Sequence, residues 1–138
     1  MPQPAMRPYA LRRTALLLHR FSGQVTNAAE AVHTDTIHDL RVSIRRFSRC
    51  LREFAGFYPR DSWRPIRRQL TGLMQLAGSV RDCDIAVELL QKAGVSDRSP
   101  VVRQLQAQRR QASQGLQTEA RLWKAQAVTR QWRKQLEV

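Results

Sequence analysis

Hydrophobic residues recur along this chain with the 3.6-residue period of helices, and no useful length alternates with the two-residue period of a strand. The first periodic stretch predicts a helix over about 9–32. Leu11, Leu18, Phe21, Val25 and Ala28 share one face, with Leu17 alongside. Gly23 weakens this helix without breaking it. Residues 1–8 contain three prolines and are expected as an irregular lead-in. A second helix is predicted over about 35–57, where Ile37, Leu40, Ile44, Phe47, Leu51 and Phe54 form an apolar stripe about 100° wide. Thr34, Asp35 and Thr36 supply its N-cap chemistry. Tyr58-Pro59 ends it, because the residue before a proline is pushed out of helical geometry.

A third helix is expected over about 61–93. Asp61 or Ser62 caps it, Pro65 stands in its first turn, and Ile66, Leu70, Leu73, Met74 and Ala77 form its apolar face. Val80, Ile85, Leu89 and Leu90 carry the pattern past Gly78-Ser79, and Gly94 terminates it. A fourth helix is expected over about 100–137, opened by Ser99-Pro100. Its core candidates are Val102, Leu105, Ala112, Leu116, Leu122, Trp123, Val128 and Trp132. At about 1.5 Å per residue it would overhang a bundle of shorter helices, so it is expected to bend or to pack on another copy of the chain. The fold class is therefore all-α: an antiparallel four-helix bundle with short connections, one domain over 9–138.

The second helix has a second stripe. His38, Arg41, Arg45, Arg49 and Arg52 follow one another at spacings of three, four, four and three, with Arg46 beside the row. No acid interrupts this face from Arg41 to Arg52. Like charges at these spacings repel by a few tenths of a kcal/mol per pair. A helix needing only solubility would mix in glutamates. An uncompensated row of guanidinium groups is what a polyanion-binding surface needs.

Composition strengthens this picture. The 138 residues carry 24 basic and 11 acidic side chains, a formal net charge of +13. Arginine outnumbers lysine twenty-one to three, a bias that favours forked contacts to phosphate or carboxylate. Two cysteines, Cys50 and Cys83, form no disulfide framework and fit a reducing compartment. The longest purely apolar run, Ala15 to Leu18, is too short for a membrane span or a signal-peptide core. Cytoplasmic residence is the expectation.

Catalytic constellations are weak. His33 and His38 are five apart, so they do not share a helical face as the ligands of a zinc-protease helix do. There is no Cys-x-x-Cys, no glycine-rich phosphate loop and no nucleophile elbow. Asp82 and Asp84 diverge on a helix and are expected in structural salt bridges with arginines rather than on a metal. No cofactor or metal is expected, and a binding module is the expected class rather than an enzyme.

The segment AVHTDTIHDLRVSIRRFSRCLREF resembles the signature of the CHAD domain, the conserved-histidine α-helical domain. Its pattern of His, Arg three residues on, and an Arg-Arg pair at seven and eight falls on His38, Arg41, Arg45 and Arg46. The segment LMQLAGSVRDCDIAVELL is similar to the second signature and supplies Arg81, Asp82, Asp84 and Ile85, about 40 residues later. The resemblance covers roughly Arg12 to Lys92. It implies an all-helical domain that binds inorganic polyphosphate through a basic groove, with members at polyphosphate granules. It also implies that this chain is one half of a usual two-bundle architecture. It is expected to be either a minimal single-repeat member or a fragment, with a homodimer rebuilding the groove.

On that resemblance His38, Arg41, Arg45, Arg46 and Arg81 are the ligand positions. The helical row adds Arg49 and Arg52. Of Arg64, Arg67 and Arg68 on the third helix, Arg67 or Arg68 is expected to join. The competing readings are a nucleic-acid binder stacking bases on Trp63, Trp123 or Trp132, a polyphosphate-processing enzyme, and a bundle docking on an acidic surface.

Overall fold

The computed structural model describes residues 5–138, and their secondary structure is helical throughout: α1 (Met6–Glu30), α2 (Thr34–Glu53), a 3₁₀ turn (Ala55–Phe57), α3 (Trp63–Lys92), α4 (Pro100–Ala125) and α5 (Val128–Leu136). The first four residues of the expected lead-in lie outside the described residues. Beyond them α1 already begins at Met6, because Pro8 falls in the first turn, where its missing N–H would have no partner in any case. Helices α1 to α4 pack in a ring, each against the next and α4 back against α1. This is the antiparallel bundle that the short connections require.

Local chemistry sets most boundaries. Tyr58 is extended ahead of Pro59 and ends the 3₁₀ turn, while α2 itself stops at Glu53, short of the expected 57. At the end of α3, Gly94 takes φ +83°. The Val95 N–H bonds the Leu90 carbonyl at 2.9 Å and the Gly94 N–H bonds that of Gln91 at 3.0 Å, the paired closure of a Schellman cap. At the start of α4 the Ser99 hydroxyl accepts from the Val102 N–H at 3.3 Å, with Pro100 following it. Gly72, Gly78 and Gly115 do not interrupt α3 or α4.

The helix expected over 100–137 is two helices. Ala127 adopts φ 51°, ψ 45°, and its N–H bonds the Lys124 carbonyl at 3.1 Å, closing α4 in the manner of a C-terminal glycine. The chain then restarts as α5, which places Val128, Trp132 and Leu136 on one buried face. Burial of these three offsets the roughly 1–2 kcal/mol cost of a left-handed alanine. Trp132 enters a cluster with Phe21, Phe47 and Trp123, at ring-centroid distances of 5.8, 6.2 and 5.4 Å respectively. Its indole N–H donates to Gln69 Oε1 at 3.2 Å. Leu122, a core candidate by periodicity, is exposed instead.

Helix α4 also closes α1. The latter ends at Glu30 with no glycine, and side chains of α4 bond its last carbonyls. Gln117 donates to Ala29 and Glu30, Arg121 to Ala29, and Arg109 to Val32 in the connection. Beyond this level α3 and α4 continue as a hairpin with little cover. No residue of α3 after Val80 is fully buried, and Val102 alone is so in α4 before Leu116. Ile85, Leu89 and Val101 are exposed there.

At the opposite end the 3₁₀ turn is latched by a buried hydroxyl pair. Thr14 donates to the Ala10 carbonyl at 2.7 Å, which leaves Tyr58 to donate to Thr14 Oγ1 at 2.6 Å. Burial pushes the Tyr58 phenol well above its ordinary value.

Two outcomes follow for stability. Ala127→Gly relieves the left-handed strain and should raise stability by up to about 1 kcal/mol, whereas Trp132→Ala should lower it by about 3–5 kcal/mol. Both are read by urea denaturation. The raised Tyr58 phenol contributes stability that is fully present below about pH 10, where the unfolded tyrosine also keeps its proton. That contribution is lost as pH rises beyond it. Tyr58→Phe should cost about 1 kcal/mol at neutral pH yet flatten the fall in stability above about pH 10.

Candidate anion-binding grooves

Helix α2 forms the outer wall of the site because its apolar stripe is wholly occupied elsewhere. Ile37, Leu40, Ile44, Phe47 and Leu51 are all buried, so the opposite side of the same helix must face out. His38, Arg45, Arg46, Arg49 and Arg52 are accordingly exposed, and Arg41 is half-buried. Of these six, only Arg49 has an ion pair among the described residues, with Glu53 at 2.8 Å. Glu53 lies one residue beyond the acid-free run and is itself about half exposed, so this pair is worth at most about 0.5 kcal/mol. The row is therefore close to uncompensated.

The row does not face one groove. The α2–α3 seam opens into a groove of about 490 Å³. Ile44, Leu70 and Met74 form its floor, Ser48, Thr71 and Gln75 its polar sides, and Arg45, Arg49, Arg52 and Arg67 its cationic rim. Arg67 is oriented by a 3.0 Å bond from Nε to Ser48 Oγ and has no ion pair among the described residues. Among the described residues no carboxylate lines this groove. Across α2, the α1–α2 seam opens into a second groove of about 400 Å³, lined by Arg20, Gln24, His38, Ser43 and Arg46, with Asp39 its one acid. Consecutive residues Arg45 and Arg46 thus serve opposite flanks, as the 100° step of a helix demands.

The remaining predicted residues are placed separately. Arg41 contributes to neither groove lining, and its Nε is enclosed with no hydrogen-bond partner among the described residues. Such an orphaned donor costs about 1–3 kcal/mol. Arg68 is exposed on α3 outside the groove lining. Arg81 stands beside Thr34 in a hollow between α3 and α4, about ten residues or 15 Å along α3 from Thr71. Asp84 makes the expected ion pair, from Arg109 Nε to Oδ1 at 2.7 Å. Asp82 does not. It is exposed and has no ion pair among the described residues, because at i, i+2 it points away from the face that meets α4.

Sequence reasoning missed Arg13 and Arg20. Their spacing of seven on α1 puts them on one helical face, and the antiparallel pairing seats that face beside Arg46 and Arg49. The spacing is visible in the sequence; the neighbour it meets is not. The tryptophans are accounted for differently: Trp123 and Trp132 are buried, and Trp63 lies under the Arg64 guanidinium at 5.4 Å.

Fold and site together define an all-helical domain whose second helix presents an acid-poor arginine face flanked by two grooves. The family model of the CHAD domain matches residues 14–137, and the chain belongs to the CHAD domain family. The match takes in α4 and α5, beyond the stretch that carries the two motifs. Neither a curated protein nor a solved structure matches the chain. No described helix is long and apolar enough to cross a membrane.

Proposed function

We propose that this domain binds inorganic polyphosphate without catalysis, through the arginine face of α2. The observation that carries this reading is the α2–α3 groove: four guanidinium groups on its rim, no carboxylate in its lining, and one exposed ion pair to compete. Forked, charge-assisted contacts to phosphate are about twice as strong as neutral hydrogen bonds, and a repeating ligand adds them by avidity. Membership of the CHAD family is consistent with this class of ligand. The protein acts in the cytoplasm, at polyphosphate granules where these form.

Nucleic acid is the rival polyanion. Among the described residues no aromatic ring lines the α2–α3 groove, and two of the three tryptophans are in the core, so these supply no stacking platform for a single strand there. Backbone phosphates alone would have to hold the strand.

A second copy of the chain docks on the projecting α3/α4 hairpin. Residues 82–102 set Asp82, Asp84, Glu88 and Asp97 against Lys92 and Arg98, two net negative charges in a chain of +13. Exposed Ile85, Leu89 and Val101 share this segment. Two polycations can meet there without opposing their arginine faces.

Titration with long-chain polyphosphate tests the main reading. Arg45→Ala/Arg52→Ala should weaken binding by about tenfold or more per arginine. By analogy with single strands, four engaged contacts should lower the wild-type affinity by nearly three decades for a tenfold rise in salt. Unchanged binding by the double variant, or full displacement by DNA at equal phosphate concentration, would sink the specific reading, and phosphate release with added Mg²⁺ would replace it with an enzyme. For the docking surface, light scattering should give twice the chain mass, and Leu89→Glu should halve it; a single-chain mass at all concentrations removes the dimer.

A further inference from the structure

The two grooves lie on opposite flanks of one helix, and the ridge between them is itself cationic. Arg49 lines the α2–α3 groove and also the hollow it shares with Arg13 and Arg46 on the α1 side. Arg45 borders the first groove from one side of this ridge, and Arg46 the second from the other. A path from Arg52 over Arg49 to Arg46 and Arg20 meets a guanidinium at every step. Its acids are Glu53, already held by Arg49, and Asp39, at the His38 end of the second groove. The floor of the α2–α3 groove, by contrast, is apolar.

From this arrangement we infer that the ligand crosses α2 rather than lying along one seam, so that a single phosphate chain is held in both grooves at once and Arg20 of α1 is a ligand residue. This rests on the polyphosphate reading and adds to it a geometry and a length requirement. The grooves are separated by the thickness of a helix with its side chains, about 10–12 Å. Pyrophosphate, two phosphorus centres wide, fills one groove and gains nothing from the other. A long chain fills both, and the second contact is then an intramolecular one with a high effective concentration. The affinity gained by lengthening the ligand is therefore a property of the two grooves together.

The test compares pyrophosphate with long-chain polyphosphate on three proteins: wild type, Arg20→Gln/Arg46→Gln, and Arg45→Gln/Arg52→Gln. All four arginines are exposed and none has an ion pair among the described residues, so the folds should survive, as circular dichroism and thermal melting will report. Both variants should lose the long chain by about tenfold or more. Each should also lose most of the ratio between long-chain and pyrophosphate affinity. If Arg20→Gln/Arg46→Gln binds the long chain as the wild type does while Arg45→Gln/Arg52→Gln does not, one groove suffices and the crossing is wrong. If the wild type binds no polyphosphate, the underlying reading fails before the crossing is reached.

Discussion

The apolar side of α2 holds its arginine side in place. Five large side chains, Ile37, Leu40, Ile44, Phe47 and Leu51, are buried to 2% exposure or less. At about 1.5–3 kcal/mol each, their burial is worth of order 10 kcal/mol. Repulsion among like charges one turn apart is a few tenths of a kcal/mol per pair, or about 1 kcal/mol along the row. The core therefore wins by a wide margin. It can keep guanidinium groups crowded along a helix that would relax their spacing if it were free. The proposed anion site is in this sense a by-product of packing: the face that cannot be buried carries the charge.

The same core explains the far end of the chain. The space between α1 and α3 that α4 leaves open is closed by α5, whose Trp132 stacks against Phe21 and Phe47. Because α5 finishes the bundle, α4 is free to sit further along, and its first half pairs with the last third of α3 as a hairpin beyond the α1–α2 connection. Three side chains of α4 hold that level, Gln117 and Arg121 by bonding the open carbonyls at the end of α1 and Arg109 by bonding that of Val32 in the connection. Arg109 joins this set through Asp84, so the second sequence motif of the family has a structural part to play apart from any ligand.

Charge is distributed accordingly. The bundle walls at α1 and α2 carry Arg13, Arg20 and the α2 row, while the tip of the hairpin, residues 82–102, carries two net negative charges and shows apolar side chains. On the proposed reading the first region attracts polyanions and repels copies of itself, and the tip does neither. Polyanion capture and self-association, both proposed above, need not then compete for the same surface.

The side-chain caps expected for α2 and α3 do not form, yet periodicity and breakers were enough to determine four of the five described α-helices, the buried stripe of α2 and the outward direction of its arginines. These depend on contacts within a turn or two, or on whether a side chain can be solvated. The Schellman end at Gly94 and the Ser99-Pro100 start belong to the same group. The break at Ala127 does not, since neither alanine nor its neighbours favour a left-handed residue; it is imposed by what Trp132 gains in the core. The division of the arginines between two flanks, the placement of Arg20 in one groove with Arg46 and the removal of Arg81 to another hollow were likewise decided only by tertiary structure. One helix states which residues share its face, but which helix stands beside that face is a matter of packing partners distant in sequence.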